Sequence, residues 1–248
     1  MDADEAFTVH GNPLTDDDAL VCPTTDPQAT YAIIQDAILD LWDVVNGLSL
    51  VTPPKRSRYS VTIFGSARLP QDSSTYAAVQ QLATDLTRMG CDIITGGGPG
   101  AMEAANAGSV LADPENLTRS VGIRVALNFE QQTNSFVEQA FQHRTFFSRL
   151  HHFVLISDAF VVVPGGIGTT LEALMIWQLL QVRNMNQVPL ILVGPMWSQL
   201  LDWARRSMVE GQETFADATD MAIPTCVDSF AAALTLLKVD HARWQQQC

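Results

Sequence analysis

The chain has 248 residues, 47% hydrophobic and 17% charged, with a mean hydropathy of +0.09. That composition supplies one sizeable core, excludes a disordered chain, and contains no run of the roughly 18 apolar residues that a membrane span needs. The net charge of −13 and a pI near 4.6 exclude a nucleic-acid partner, since phosphate backbones demand a basic stripe.

The chain opens Met1-Asp2-Ala3-Asp4-Glu5, with neither a basic nor an apolar signal region, which predicts a soluble cytoplasmic protein. No Lys or Arg precedes Lys55, whereas residues 1–54 hold ten acids, so most of the negative charge lies there. Residues 1–26 read as an irregular acidic arm, either solvated or guarding an interface or a site. From Pro27 to Gly47, Tyr31, Ile34, Ile38, Leu41, Trp42 and Val45 recur at helical spacing. This predicts an amphipathic helix over 27–47 whose apolar stripe favours burial. Thr52-Pro53-Pro54 then forms a stiff linker. The expected division is an arm, helix and linker over 1–58, followed by a single domain over 59–248.

From Ser60 the pattern alternates. Short β-rich runs at Val61–Phe64, Asp92–Thr95, Ser120–Val125, Ala159–Val163 and Leu190–Val193 read as strands, with a further short one near Ala222–Cys226. Helical patterns lie near Ser73–Met89, Ala101–Val110, Arg144–Ile156, Thr169–Val182, Trp197–Glu210 and Ser229–Lys238. Strands apolar on both faces, alternating with helices, imply an α/β fold: a Rossmann-like, doubly wound parallel sheet flanked by helices on both faces. Ligands in such sheets collect beyond the carboxyl ends of the strands.

Three small-residue loops fall at such ends: Phe64-Gly65-Ser66-Ala67-Arg68, Thr95-Gly96-Gly97-Gly98-Pro99-Gly100, and Pro164-Gly165-Gly166-Ile167-Gly168-Thr169-Thr170. A Gly-rich turn from strand to helix brings backbone N–H groups close to a ligand at the positive end of a helix dipole. Neither Gly loop spells G-x-G-x-x-G with an acid about 20 residues on, so a compact phosphate ester fits better than a dinucleotide. The only lysines are Lys55 and Lys238. A Walker A loop and a pyridoxal phosphate Schiff base both need a lysine at the site, and neither chemistry has it here. The four cysteines, at 22, 91, 226 and 248, read as free thiols, and the adjacent His151 and His152 make a poor metal site. No cofactor and no metal are expected.

The segments Gly96-Gly97-Gly98-Pro99-Gly100-Ala101-Met102 and Pro164-Gly165-Gly166-Ile167-Gly168-Thr169-Thr170-Leu171-Glu172 match a GGG-x-x-G-x-M and a PGG-x-GT-x-x-E pattern. With Phe64–Arg68, Glu130 and Asn134, and Phe146-Phe147-Ser148-Arg149, the chain resembles the long bacterial branch of the Lonely Guy family. These are cytokinin-activating phosphoribohydrolases, often labelled lysine decarboxylases. The resemblance covers about residues 60–240. It implies cleavage of the N-glycosidic bond of a nucleoside 5′-monophosphate, a cytokinin riboside monophosphate or AMP, to a free base and ribose 5-phosphate. It also implies Arg149 and Glu172 as the catalytic pair and phosphate binding by the loops at 96–100 and 165–169. A homodimer or higher homo-oligomer is implied too, with Trp177 and Gln178 near the contact.

The chemistry of the residues agrees with that implication. A carboxylate at Glu172 stabilises a ribosyl cation or prepares water, and the Arg149 fork holds phosphate or a ribose oxygen. The substrate-binding candidates are Ser66, Arg68, Gly96, Gly97, Gly98, Gly100, Gly165, Gly166, Gly168 and Thr169. Glu103 joins them as a residue that either lines the ribose site or caps its own helix. Leu150 stands where the family usually has Lys, and Leu127-Asn128-Phe129 departs from a usual Leu-Pro. Losing the charge at 150 is expected to reduce turnover or narrow substrate choice. The competing reading is a non-catalytic binder of nucleotide or molybdenum cofactor built on similar Gly loops.

Overall fold

The computed structural model describes residues 28, 30–39, 57–126, 133–182 and 188–246. The chain divides into two units, Met1–Thr52 and Pro53–Cys248. In the first, residues 30–39 are helical (α1). The expected burial of its apolar stripe is not found: Tyr31, Ile34 and Ile38 are all exposed. Helical spacing says which face is apolar; it cannot supply a surface to cover it. Trp42 and the rest of the expected helix lie outside the described residues.

The second unit is a seven-stranded sheet in the order β4-β3-β2-β1-β5-β6-β7, with every pairing parallel. The strands are β1 (Ser60–Phe64), β2 (Asp92–Thr95), β3 (Ser120–Val125), β4 (Gln139–His143), β5 (Ala159–Val162), β6 (Leu190–Val193) and β7 (Pro224–Val227). The helices are α2 (Ser74–Arg88), α3 (Ala101–Ala112), α4 (Phe146–Ile156), α5 (Ile167–Gln181), α6 (Pro195–Ala204) and α7 (Phe230–Gln246). Residues Arg205–Val209 extend α6 as a π-helical turn.

The period-2 alternation of each strand divides the core in two. Val61, Ile63, Ile93, Val161 and Val163 pack with Val79, Leu82 and Leu86 of α2, Ala104 of α3, and Ala233 and Leu237 of α7. Phe64, Ile94, Ile123, Phe160 and Val162 face the other way, against Phe153 of α4, Ile176 of α5 and Trp197 of α6. Helices therefore cover both faces, and the fold is the doubly wound α/β sheet that the sequence predicts.

Two elements differ from expectation. The edge strand β4, with sequence QAFQH, has no fully buried residue. Such a strand carries no continuous apolar run for sequence reading to find. Helix α7 runs eight residues past the expected end at Lys238, because Tyr59 holds it there. The Tyr59 hydroxyl donates to Asp240 at 2.5 Å, and its ring meets His241 and Trp244.

The chain winds outward from β1 through β2 and β3 to β4, then returns to β5 on the other flank of β1. Adjacent loops diverge at that reversal and leave a crevice at the carboxyl ends.

Candidate active site

A cleft of about 510 Å³ opens at this crevice. Its walls are the loops after β1, β2 and β5, the end of β3, and the N-terminal turns of α3, α4 and α5. Of the sequence candidates, Ser66, Arg68, Gly96, Gly98, Arg149, Gly166, Gly168, Thr169 and Glu172 line it. Gly97, Gly100 and Gly165 belong to the same loops without lining the cavity. Glu103, in the first turn of α3, does not line it either; its carboxylate accepts a 2.8 Å hydrogen bond from Gln71.

The two Gly loops do different work. At the start of α3 the Ala101 amide donates to the Ser66 carbonyl at 2.9 Å, and the Gly97 amide donates to the Thr95 hydroxyl at 2.9 Å. Two of that loop's amides are thus used within the protein. The loop is backed by a buried polar network: the Thr95 hydroxyl donates to Asn106 Oδ1 at 2.7 Å, and Asn106 Nδ2 donates to Ser120 at 2.8 Å. Asn134 Nδ2 reaches the Gly98 carbonyl at 2.9 Å. A fully satisfied network of this kind rigidifies the loop it supports. Asn134 thus braces the loop, while its expected companion Glu130 lies outside the described residues.

Gly166, Ile167, Gly168 and Thr169, after β5, line the cleft. Gly166 caps α5 in an extended conformation with no side-chain capping bond. The amides of Ile167, Gly168 and Thr169 belong to the first turn, where no intrahelical acceptor exists. They sit at the positive end of a 15-residue helix, which favours an anion.

Arg149 and Glu172 meet between these loops, although 23 residues separate them in sequence. The Thr145 side chain caps α4 by accepting from the Ser148 amide, and the second turn of that helix carries Arg149 inward. Its Nε donates to the Ile123 carbonyl at 2.8 Å, and Nη1 donates to Glu172 Oε1 at 3.0 Å. The guanidinium lies 5.1 Å from the Phe153 ring centre, a cation–π distance. Its other arm packs against Gly96, where any side chain would collide with it. These four contacts hold the arginine in its orientation.

Glu172 is 8% exposed. Burial pushes its carboxyl up to about 7, and the charge and hydrogen bond of Arg149 only partly offset that. A carboxyl group poised near neutrality inside a cleft is suited to general-base work.

Among the described residues, the charged side chains lining the cleft are Arg68, Arg124, Arg149 and Glu172. The cleft is therefore cationic within a strongly acidic protein, which concentrates anions at its mouth. Met102, Phe146 and Ile167 supply apolar wall. Sequence reading did not single out Arg124, which belongs to no Gly loop, and quoted Phe146 only within the Phe146–Arg149 motif; the sheet order brings both here. Leu150 is buried and is not among the lining residues, so position 150 faces away from the cleft.

A family model described as possible lysine decarboxylase matches residues 93–237. The chain is 30% identical over 141 residues to a pyrimidine/purine nucleotide 5′-monophosphate nucleosidase of Escherichia coli. That match takes in 54% of this chain and 31% of the relative, so the chain spans about a third of the length of the curated relatives it matches. Among solved structures, the molybdenum cofactor binding protein of Rippkaea orientalis superposes with a TM-score of 0.55 at 21% identity, covering 75% of this chain and 98% of that one. The molybdenum cofactor carrier protein of Chlamydomonas reinhardtii gives 0.55 at 16% identity, over 75% and 99%. At these identities the two structures share the fold.

Proposed function

The chain belongs to the possible lysine decarboxylase family, the Lonely Guy family of the sequence resemblance, and on that premise we propose that it is a nucleoside 5′-monophosphate phosphoribohydrolase. The reaction cleaves the N-glycosidic bond of a cytokinin riboside monophosphate or AMP. The observation that carries the reading is the buried Arg149–Glu172 pair beside an open helix N-terminus.

The phosphate sits on the first-turn amides of α5, with the Thr169 hydroxyl beside it, and Arg68 closes the mouth of the site. This places the ribose over Glu172 and Arg149. Heterolysis of the glycosidic bond builds positive charge on the sugar, which the ionised Glu172 stabilises while accepting a proton from water. Arg149 holds the carboxylate in place. Decarboxylation of lysine through pyridoxal phosphate needs a lysine at the site; Lys238 on α7 does not line the cleft, and Lys55, the other lysine, lies outside the described residues. No described helix is long and apolar enough to cross a membrane, and we place the enzyme in the cytoplasm. A second copy of the chain covers the exposed apolar ridge of Ile167, Leu171 and Leu174 on α5, giving a homodimer.

Incubating purified protein with AMP tests the reading: adenine and ribose 5-phosphate should accumulate in equal amounts. No base released from any common nucleoside monophosphate would leave a nucleotide-binding module instead. The pH profile follows from Glu172. The carboxylate is the working form, so kcat/KM should be flat above pH 7 and fall about tenfold per unit well below it. In Arg149→Ala the group that lowers the Glu172 pKa is gone. The midpoint should then move above 7 as the rate falls, and a midpoint left in place would remove Arg149 from this role.

A further inference from the structure

We propose that Arg124 is the leaving-group residue of this site: its guanidinium binds the base and takes up the negative charge that the base acquires as the glycosidic bond breaks. The inference rests on the hydrolase reading above and adds to it a residue outside both Gly loops.

The sheet order supplies the argument. Arg124 stands at the carboxyl end of β3 and lines the cleft. The anion-binding end of α5 follows β5, three strands away across β2 and β1. At about 4.8 Å per strand the separation is about 14 Å, the reach of a nucleoside monophosphate laid across the strand ends. The residues between fall in order. Arg149 reaches from Glu172 on α5 to Gly96, and the next residue, Gly97, has the Arg124 chain above it. A Cβ built on Gly97 would lie 3.2 Å from Arg124 Cγ and 3.6 Å from Cδ. A phosphate on α5 and a ribose at Glu172 therefore direct the base past Gly96 toward Arg124. Met102, on the cleft wall, adds apolar contact for the ring.

The chemistry requires a group of this kind there. As the C1′–N bond breaks, its electron pair stays on the base nitrogen, and the water oxygen bonds to C1′ while its proton passes to Glu172. The departing base is an anion with charge spread over its ring nitrogens. A planar cation with several donors holds that charge better than it holds the neutral base of the substrate. The base takes a proton from solvent on release, and Glu172 returns its own.

The test compares Arg124→Gln and Arg124→Lys with the wild type on two substrates: AMP, and 4-nitrophenyl ribofuranoside 5-phosphate, whose leaving phenolate needs no help. Arg124→Gln should lower kcat on AMP at least about tenfold while holding the nitrophenyl substrate within about twofold. Arg124→Lys should recover part of the loss on AMP. Calorimetry should show weaker adenine binding to Arg124→Gln and unchanged ribose 5-phosphate binding. Equal losses on both substrates, or weakened ribose 5-phosphate binding with adenine unaffected, would overturn the role of Arg124 and leave the hydrolase reading standing. A wild-type chain that releases neither adenine nor nitrophenol overturns both.

Discussion

Glu172→Gln is expected to lower turnover of AMP at least ~100-fold, the low end for a positioned acid or base, while AMP binding stays close to that of the wild type. A hundredfold loss corresponds to about 2.7 kcal/mol of transition-state stabilisation. The amide keeps the size of the side chain and still accepts the Arg149 hydrogen bond through its oxygen, so the cleft keeps its shape. It removes the negative charge that the ribosyl cation needs and the lone pair that takes the water proton. In the proposed reading the phosphate is held elsewhere, on the amides of Ile167, Gly168 and Thr169, which the substitution does not touch. Steady-state kinetics and calorimetry on the same preparation separate the two effects. A Glu172→Gln protein that remains fully active would end the hydrolase reading, and one that binds AMP far more weakly would make Glu172 a binding residue instead. The pH dependence below 7 should disappear in whatever activity remains.

Gly166→Asp is expected to weaken AMP binding at least ~100-fold, because it sets a carboxylate where the dianion must sit and opposes it at close range. This position makes a clean test. A Cβ built on Gly166 meets no atom within 4 Å, and its backbone is extended, at φ −91° and ψ −157°. Asp is also a preferred N-cap, so the fold should keep its melting temperature or gain slightly. Loss of binding in a protein that melts normally would place the phosphate on α5. Gly97→Asp should lose binding as well, but there φ is +71° and the new side chain meets Arg124 and the backbone of Gly122. Its loss would mix strain with electrostatics. Unchanged affinity in a folded Gly166→Asp protein would move the phosphate to another part of the cleft.

The residues that carry local patterns were legible before any coordinates. Val61, Ile63, Phe160 and Val162 lie in runs apolar on both faces, which belong to strands covered on both sides. The Gly loops mark strand-to-helix turns by their composition alone, and the missing lysines exclude whole chemistries. The polar strand β4 was not legible, because an edge strand need not be apolar. The exposure of α1 was not legible either, because periodicity identifies an apolar face without identifying its cover. Glu103 carried two readings at once; its bond to Gln71, 32 residues away, turns it from the cleft.

By itself, then, the sequence determined the fold class, the order along the chain of every strand but β4, and the positions of the Gly turns. These depend on interactions within a few residues, where side-chain period and backbone freedom decide the outcome. Tertiary structure alone decided that β5 returns to the flank of β1, that Arg149 reaches Glu172, and that Arg124 lines the same cleft as the helix start of α5, two strands intervening. It also decided that the Ala101 amide is used on the Ser66 carbonyl of a neighbouring loop, and that burial raises Glu172 to about 7. These depend on which surfaces exclude water from which groups. The energy of a charge or an amide depends on its surroundings, and in a folded chain those come from residues distant in sequence.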